Sequence, residues 1–242
     1  MPAADGISLI PLTGIGEIEV GTDLAQCVAD ALAPRADGPT LESGDVLVIT
    51  QKVVSKAEGQ IVPLDHNDPV AKVALVERES VRIVRRRGEL LITETKHGFI
   101  CANAGIDLSN VNDGTAALLP EDSDRSARRI RAGLQHLCGV DIGVIISDTF
   151  GRTWRRGVTD VAIGCAGVAA VIDLRGTFDA NGRELVATEL CVADELASAA
   201  ELVMGKDRGI PAAIVRGVPA EWLRPASVSQ EIIRPADEDL FR

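Results

Sequence analysis

Tyrosine is absent from this chain of 242 residues, and four phenylalanines and two tryptophans are its only aromatics. Large rings usually supply much of the bulk of a core. Here that bulk must come from Val, Ile, Leu and Ala. Hydrophobic residues make up 46% of the sequence, enough for one large domain or two small ones. A core of branched aliphatics and alanines suits tightly packed sheets covered by Ala-rich helices. The formal net charge of −11 argues against a nucleic-acid or anionic-membrane binder, which needs a basic surface. It leaves room for a local basic pocket, which would stand out against acidic surroundings.

Cysteine usage points to a reducing compartment. The five residues Cys27, Cys101, Cys138, Cys165 and Cys191 are odd in number and no pair has CxxC spacing. Neither a disulfide framework nor a zinc site is expected, and each cysteine reads as a small core residue. Residues Met1 to Ile10 carry Asp5 and no basic stretch, so no signal peptide is read there. The apolar runs fall short of the roughly 18 residues a membrane span needs. The expectation is a cytoplasmic protein.

Helical and strand patterns are mixed without strict alternation, which favours α+β over a doubly wound sheet. Ile7–Leu12 reads as a strand and Thr13–Gly16 as a glycine turn. Asp23–Leu32 has helical spacing, with Thr22 or Asp23 as N-cap. Residues 34–39 read as a polar loop. Val46–Thr50 is a β-branched run and reads as a buried strand. Gln51–Gly59 is polar and contains two lysines, as a solvated turn would. Pro69–Arg87 is mostly helical and turns strongly basic at Arg82, Arg85, Arg86 and Arg87. Leu90–Glu94 alternates as a strand, and Lys96–Asn112 reads as loop with short strands. Ser123–Cys138 is an amphipathic helix, Val140–Ser147 an apolar strand, Glu189–Met204 a helix and Ala212–Val215 a strand. Residues 1–226 are taken as one domain, with two subdomains as an option, and 227–242 as a C-terminal tail or linker.

Five segments could carry chemistry. In Val144–Arg152 a buried strand ends in Ser147, Asp148 and Thr149, followed by a glycine turn. Carboxylate and hydroxyl oxygens on such a rigid support suit Mg²⁺ or Mn²⁺. Arg152, Arg155 and Arg156 follow and can neutralise phosphates or carboxylates. In Asn103–Asn110, Asp107 could be a second ligand and Asn110 a hydrogen-bonding group; turn residues explain the same letters. In Thr50–Gly59 the lysines Lys52 and Lys56 follow a strand, although no GxxxxGK[ST] motif is present. The turn Thr13–Glu17 can cradle an anion but is weak as a motif. The loop Met204–Pro211 brackets charges with glycines, as a nucleotide lid or a helix C-cap would. His66 and His136 read as surface residues, and His97 as a residue near the site.

Together these segments resemble the coenzyme F420:L-glutamate ligase (F420-0:γ-glutamyl ligase) family. The matching words are Gly44–Val48, Val54–Gly59, Asn103–Asn110, Ile146–Arg152, Arg155–Gly157, Cys191–Glu195 and Ile210–Gly217, and they occur in the family's order. The resemblance implies an unusual α+β fold with mixed and antiparallel sheets, a homodimer, and a GTP-dependent acid–amino-acid ligase. It would add L-glutamate to the deazaflavin precursor F420-0 through an acyl phosphate, releasing GDP and phosphate. It further implies two divalent metals (Mg²⁺ or Mn²⁺) and K⁺ as a monovalent ion. Asp107, Asp148 and Thr149 match metal-ligand positions. Ile15, Gly16, Glu17, Ile18, Lys56 and Asn110 match nucleotide contacts; Gln51 and Lys52 stand at a further contact where relatives can carry Ser and Thr, and the loop Met204, Gly205, Lys206, Asp207, Arg208, Gly209 and Ile210 is expected to cover the nucleotide. Asp148, Lys56 and Arg152 are the expected catalytic residues. Relatives can carry an acidic ligand where this chain has Lys206. The tail Ile233–Arg242 is similar to the join to a nitroreductase-like domain in two-domain actinobacterial forms. Two other activities compete with this reading: a nucleotide-binding regulatory module without ligase activity, and a metal-dependent phosphohydrolase.

Overall fold

The structure, a computed structural model, describes residues 6–32, 39–109 and 111–240. In chain order its strands are β1 (Ser8–Leu12), β2 (Val46–Thr50), β3 (Ile61–Pro63), β4 (Ser80–Arg87), β5 (Leu90–Thr95), β6 (Ile100–Ala102), β7 (Thr115–Ala117), β8 (Gly143–Gly151), β9 (Val158–Ala166), β10 (Ile172–Asp173), β11 (Glu189–Leu190) and β12 (Ala212–Arg216). The helices are α1 (Leu24–Ala31), α2 (Gln51–Ala57), α3 (Pro69–Arg78), α4 (Ser123–Cys138), α5 (Val192–Met204) and α6 (Val228–Glu231). The central sheet has the order β1-β12-β2-β8-β9. Its β2–β8 pair is parallel and the other pairs are antiparallel. Smaller sheets pair β3 with β7, β10 with β11, and β4 with β5 and β6. The architecture is α+β, as the patterning predicts, with the mixed and antiparallel sheets that the resemblance implies.

The aliphatic composition decides where the core sits. All of Val46, Leu47, Val48, Ile49, Val144, Ile145, Ile146 and Ala212–Val215 are buried, so β2, β8 and β12 are covered on both faces. Continuous apolar runs of this kind are what a doubly covered strand requires. Helices α4 and α5 supply the cover through Ala127, Ile130, Leu134, Ala193, Leu196, Ala197 and Ala200. Small residues let these helices lie close. At Gly164 on β9, an added Cβ would fall 2.3 Å from the Ser123 carbonyl carbon at the start of α4. Backbone cannot yield as a flexible side chain can, so Gly164→Ala should destabilise by about 3 kcal/mol through overpacking. Chemical denaturation checks this; a loss below about 1 kcal/mol would show that α4 does not need this approach.

Helix ends follow local chemistry. Asp23 caps α1 by accepting the Ala25 and Gln26 amides, and Asp122 caps α4 through the Arg125 amide. Gly139 closes α4 in the left-handed region (φ 70°), where a side chain would be strained.

Local readings differ from the sequence expectation at several points, among them Glu189–Leu190, which is strand β11 rather than the start of a helix. Gln51–Ala57 is a helix, not a polar turn, because its polar groups are satisfied inside. Gln51 and Ser55 are buried and both donate to the Leu118 carbonyl, at 2.7 and 2.6 Å. The basic stretch Ser80–Arg87 is strand β4 rather than the continuation of α3, since Glu79 ends the helix. Strand β8 does not stop at Ser147 but runs to Gly151 as one arm of a hairpin with β9. Cys138 is exposed, unlike the buried Cys101 and Cys165. The loop expected over residues 34–39 lies outside the described residues except Pro39.

Residues 227–233 are tied to the core. Val228 is fully buried, and the buried Asp124 accepts the Val228 and Ser229 amides. Glu231 accepts the Ala170 and Val171 amides and pairs with Arg224 at 2.7 Å. Among the described residues no helix is long and apolar enough to cross a membrane.

Candidate active site

Strands β2 and β8 run in parallel from Val46/Gly143 to Thr50/Ser147, and there they part. The chain leaves β2 into α2, while β8 continues beside β9. A crevice at the carboxyl ends of diverging parallel strands is a favoured place for ligands. Here it is a cleft of ≈ 890 Å³. Its walls are the turn Ile15–Ile18, the α2 residues Gln51, Lys52, Val53 and Lys56, and the stretch Cys101–Ser109. The β8–β9 hairpin and the end of α5 with its following loop complete them.

The structure brings most of the expected site residues into this one cleft. Ile15, Gly16, Glu17, Ile18, Gln51, Lys52, Lys56, Asp107, Asp148, Thr149, Met204, Gly205, Lys206, Asp207, Gly209 and Ile210 all line it. Arg152 does not; its guanidinium donates to the Arg156 carbonyl (3.2 Å) near the exposed hairpin tip. Arg208 lies back over Gly205, where a Cβ would come within 3.0 Å of its side chain. Asn110 lies outside the described residues. His97 sits behind the wall: its Nε2 donates to the Pro120 carbonyl (2.9 Å), and its ring stacks on Phe99, which meets Phe150 edge-on.

Each functional side chain has a traceable support. Lys52 and Lys56 are four residues apart on α2 and so share a face. Lys56 pairs with Glu17 across the cleft. Lys52 pairs with Asp107 at 2.7 Å and also donates to Ser109 Oγ at 2.9 Å. Asp107 is held by a two-way backbone bridge to Ala117 on β7. The chain reaches it through Asn103 and Ala104, both at positive φ (49° and 56°). That costly backbone is fixed by two hydrogen bonds, from the Leu91 amide to Asn103 Oδ1 and from the Ala104 amide to buried Thr93.

Asp160 is the residue that the sequence reading misses. It lies directly opposite Thr149 in the β8–β9 register and is 1% exposed. Its Oδ2 accepts the Ser147 hydroxyl (3.0 Å), and its Oδ1 accepts the Thr149 hydroxyl (2.7 Å) and the Lys206 ammonium (2.6 Å). Lys206 also donates to Thr149 Oγ1 and approaches Glu201 at 3.7 Å. The signal was available: Asp160 is the one acid within the otherwise apolar and small strand Val158–Ala166.

Electrostatics separate Asp107 from Asp148. Burial pushes the Asp148 carboxyl up to about 7, reinforced by the nearby Asp107 and Asp160 charges and only partly opposed by the Thr149 amide and Lys206. Burial also pushes Asp107 upward, but hydrogen bonds from Lys52 and Ser109 more than offset this and leave it below the usual carboxylate range. Asp148 forms no salt bridge among the described residues, and its hydrogen bond is the amide of its neighbour Thr149. A carboxylate so placed, next to a second one, wants a cation. Oxygen donors of this kind fit a hard ion such as Mg²⁺ or Mn²⁺. Among the described residues, no group of three or more His, Cys, Asp or Glu side chains could hold a metal alone. A bound ion would therefore complete its shell with water or substrate oxygens.

A deep cleft at a strand divergence, with converging lysines and a half-buried carboxyl held near neutrality, has the make-up of an enzyme active site. Comparison with known proteins agrees. The family model described as F420-0:Gamma-glutamyl ligase matches residues 14–217. A protein of Methanothermobacter thermautotrophicus named Coenzyme F420:L-glutamate ligase is 44% identical over 252 residues, covering 98% of this chain and 99% of the relative. A protein of the same name from Methanopyrus kandleri is 45% identical, covering 93% and 94%. Another from Methanocaldococcus jannaschii is 42% identical, covering 84% and 86%. The chain belongs to the F420-0:gamma-glutamyl ligase family and is a ligase.

Proposed function

We propose that this chain joins L-glutamate to the deazaflavin precursor F420-0 at the expense of GTP. The observation that carries the reading is the convergence of Asp107, Asp148, Lys52 and Lys56 on one cleft in a chain of this family. A carboxylate does not condense with an amine in water unless its oxygen becomes a leaving group. In the proposed reaction a carboxylate oxygen of the precursor attacks the γ-phosphorus of GTP and the bond to the β-phosphate oxygen breaks, so GDP leaves. The amine of L-glutamate then attacks the acyl carbon, loses a proton to solvent, and phosphate departs.

The chain's own groups meet the main difficulty, which is that both reactants are anions. Lys56 and Lys52 would carry the phosphates on one face of α2. The turn Ile15–Ile18 faces them and would bound the nucleotide. Asp107 and Asp148 would hold a divalent cation, which when bound neutralises the triphosphate and the charge developing on the transferred phosphoryl group. No covalent enzyme intermediate is needed, since catalysis of this type is mostly positioning and electrostatics. Lys56→Ala should raise KM for GTP on the order of ten-fold with a smaller change in KM for glutamate, because one charge-assisted contact is lost. Equal changes in both would place Lys56 elsewhere.

The deciding assay measures phosphate released from GTP together with the mass of the deazaflavin product, with and without L-glutamate. Phosphate release coupled to a product heavier by a glutamyl residue supports the ligase. Release without glutamate points to a phosphohydrolase. Nucleotide binding with neither outcome points to a regulatory module.

A further inference from the structure

Thr149 and Asp160 face each other across the β8–β9 hairpin, and Lys206 reaches them from the loop after α5. The Thr149 hydroxyl spends its proton on Asp160 Oδ1 (2.7 Å) and its accepting side on Lys206. Asp160 Oδ1 receives Lys206 as well, at 2.6 Å, while Oδ2 is taken by Ser147. Glu201, one turn back on α5, stands 3.7 Å from the same ammonium. These oxygens are the kind a hard divalent ion would use, yet three donors already claim them.

The two lysine–aspartate pairs of the cleft differ in kind. The Lys52–Asp107 pair is accessible to water, with the Asp107 side chain 32% exposed, so that carboxylate can turn toward an incoming ion. In the Lys206–Asp160 pair it is the carboxylate that is enclosed: the Asp160 side chain is 1% exposed, while the Lys206 side chain that reaches it is 52% exposed. A buried carboxylate without a cation is costly, so its counter-charge must be in place whenever the fold is. The loop supports this: Gly205 and Gly209 at positive φ bracket Lys206 and let the chain turn sharply back over the hairpin.

We propose that Lys206 permanently fills one cation position of the cleft, so that this chain takes a single divalent ion, at Asp107 and Asp148, where the family resemblance implies two. The inference concerns ion count and rests on the reading of Asp107 and Asp148 as an ion site. It does not depend on which substrates are joined. An ammonium in place of a second ion keeps the positive charge beside Thr149 independent of metal supply.

The test counts Mn²⁺. The intact protein is titrated with Mn²⁺ alone, and free ion is read from its electron paramagnetic resonance signal. One Mn²⁺ per chain is expected for the natural protein. Two are expected for Lys206→Gln, with a coupled two-ion signature because the vacated oxygens lie beside the first ion. Lys206→Arg should keep the count at one. Two ions on the natural protein, none at all, or no gain in a folded Lys206→Gln protein would each overturn the proposal. Should Lys206→Gln fail to fold, as judged by circular dichroism, the count on the natural protein and on Lys206→Arg still decides. Failure of the ligase reading shows separately, as absence of glutamylated product with the ion count unchanged.

Discussion

Asp148→Asn is expected to abolish glutamate ligation and at the same time to raise the melting temperature of the metal-free protein at pH 8. The two effects have one cause. Asp148 is forced by burial, and by Asp107 and Asp160 beside it, to hold its proton up to about pH 7. Its unfolded-state value is near 3.9. The folded value is raised, so the contribution of Asp148 to stability is fully present below about pH 4. It is lost as pH climbs through about 7, because the unfolded chain releases a proton that the native state keeps. Above that range the native state carries a charge it does not favour. The cleft admits water and screens part of the penalty, which leaves on the order of 2 kcal/mol at pH 8. An amide of the same shape has no such penalty, so the variant should melt higher at pH 8 and closer to the natural protein at pH 5. Without the carboxylate the divalent ion loses one of its two protein ligands, and turnover should fall on the order of 10³-fold. Scanning calorimetry in chelator at the two pH values, with the coupled phosphate and mass assay, checks both halves. A variant that melts below the natural protein at pH 8, or that keeps more than a tenth of its turnover, would contradict the argument. The same proton should make Mn²⁺ affinity of the natural protein rise up to about ten-fold per pH unit below pH 7, since binding must displace it.

What the sequence discloses about this site depends on how local the governing interaction is. Helix α4 is legible to the residue because its cap at Asp122, its amphipathic period and its terminal Gly139 are all local. Asp107 and Asp148 are legible as cleft residues, Asp107 because it stands among small residues and amides and Asp148 because it follows a buried apolar run. Helix α2 is not, because Gln51 and Ser55 look solvated until the Leu118 carbonyl, 67 and 63 residues away, is seen to accept both of them. Asp160 is missed for a related reason. Its partners Ser147, Thr149 and Lys206 become neighbours only when β8 outlasts β2 and folds into a hairpin with β9. The end of β8 could not be read at Ser147 because apolar burial stops there while strand pairing does not. Burial belongs to composition, whereas pairing belongs to the register with a distant strand.

Asp124→Ala should produce the largest loss of stability that leaves the active cleft intact. Asp124 lies in the first turn of α4, is 5% exposed, and makes no ion pair among the described residues. Its Oδ1 accepts the amides of Cys165 on β9 and Val228 on α6, both at 2.9 Å, and its Oδ2 accepts the Ser229 amide at 3.1 Å. One carboxylate thus closes three backbone donors from two segments distant in sequence. Alanine would leave all three without partners in a place that water reaches poorly, at about 1–3 kcal/mol for each group left wholly unpaired. Partial relaxation of α6 toward solvent limits the total to about 4 kcal/mol, or roughly 8–16 °C in melting temperature for a chain of this size. Asp124→Asn keeps one accepting oxygen and should lose about half as much. The damage should be directional as well as large. Amide exchange at Val228 and Ser229 should quicken far more than at Val144–Ile146, because β8 keeps its neighbours on both sides. KM values below the melting range should be unchanged, since Asp124 does not line the cleft. A shift under about 3 °C, or exchange that quickens uniformly across the sheet, would mean that α6 is held by Glu231 and Arg224 rather than by Asp124.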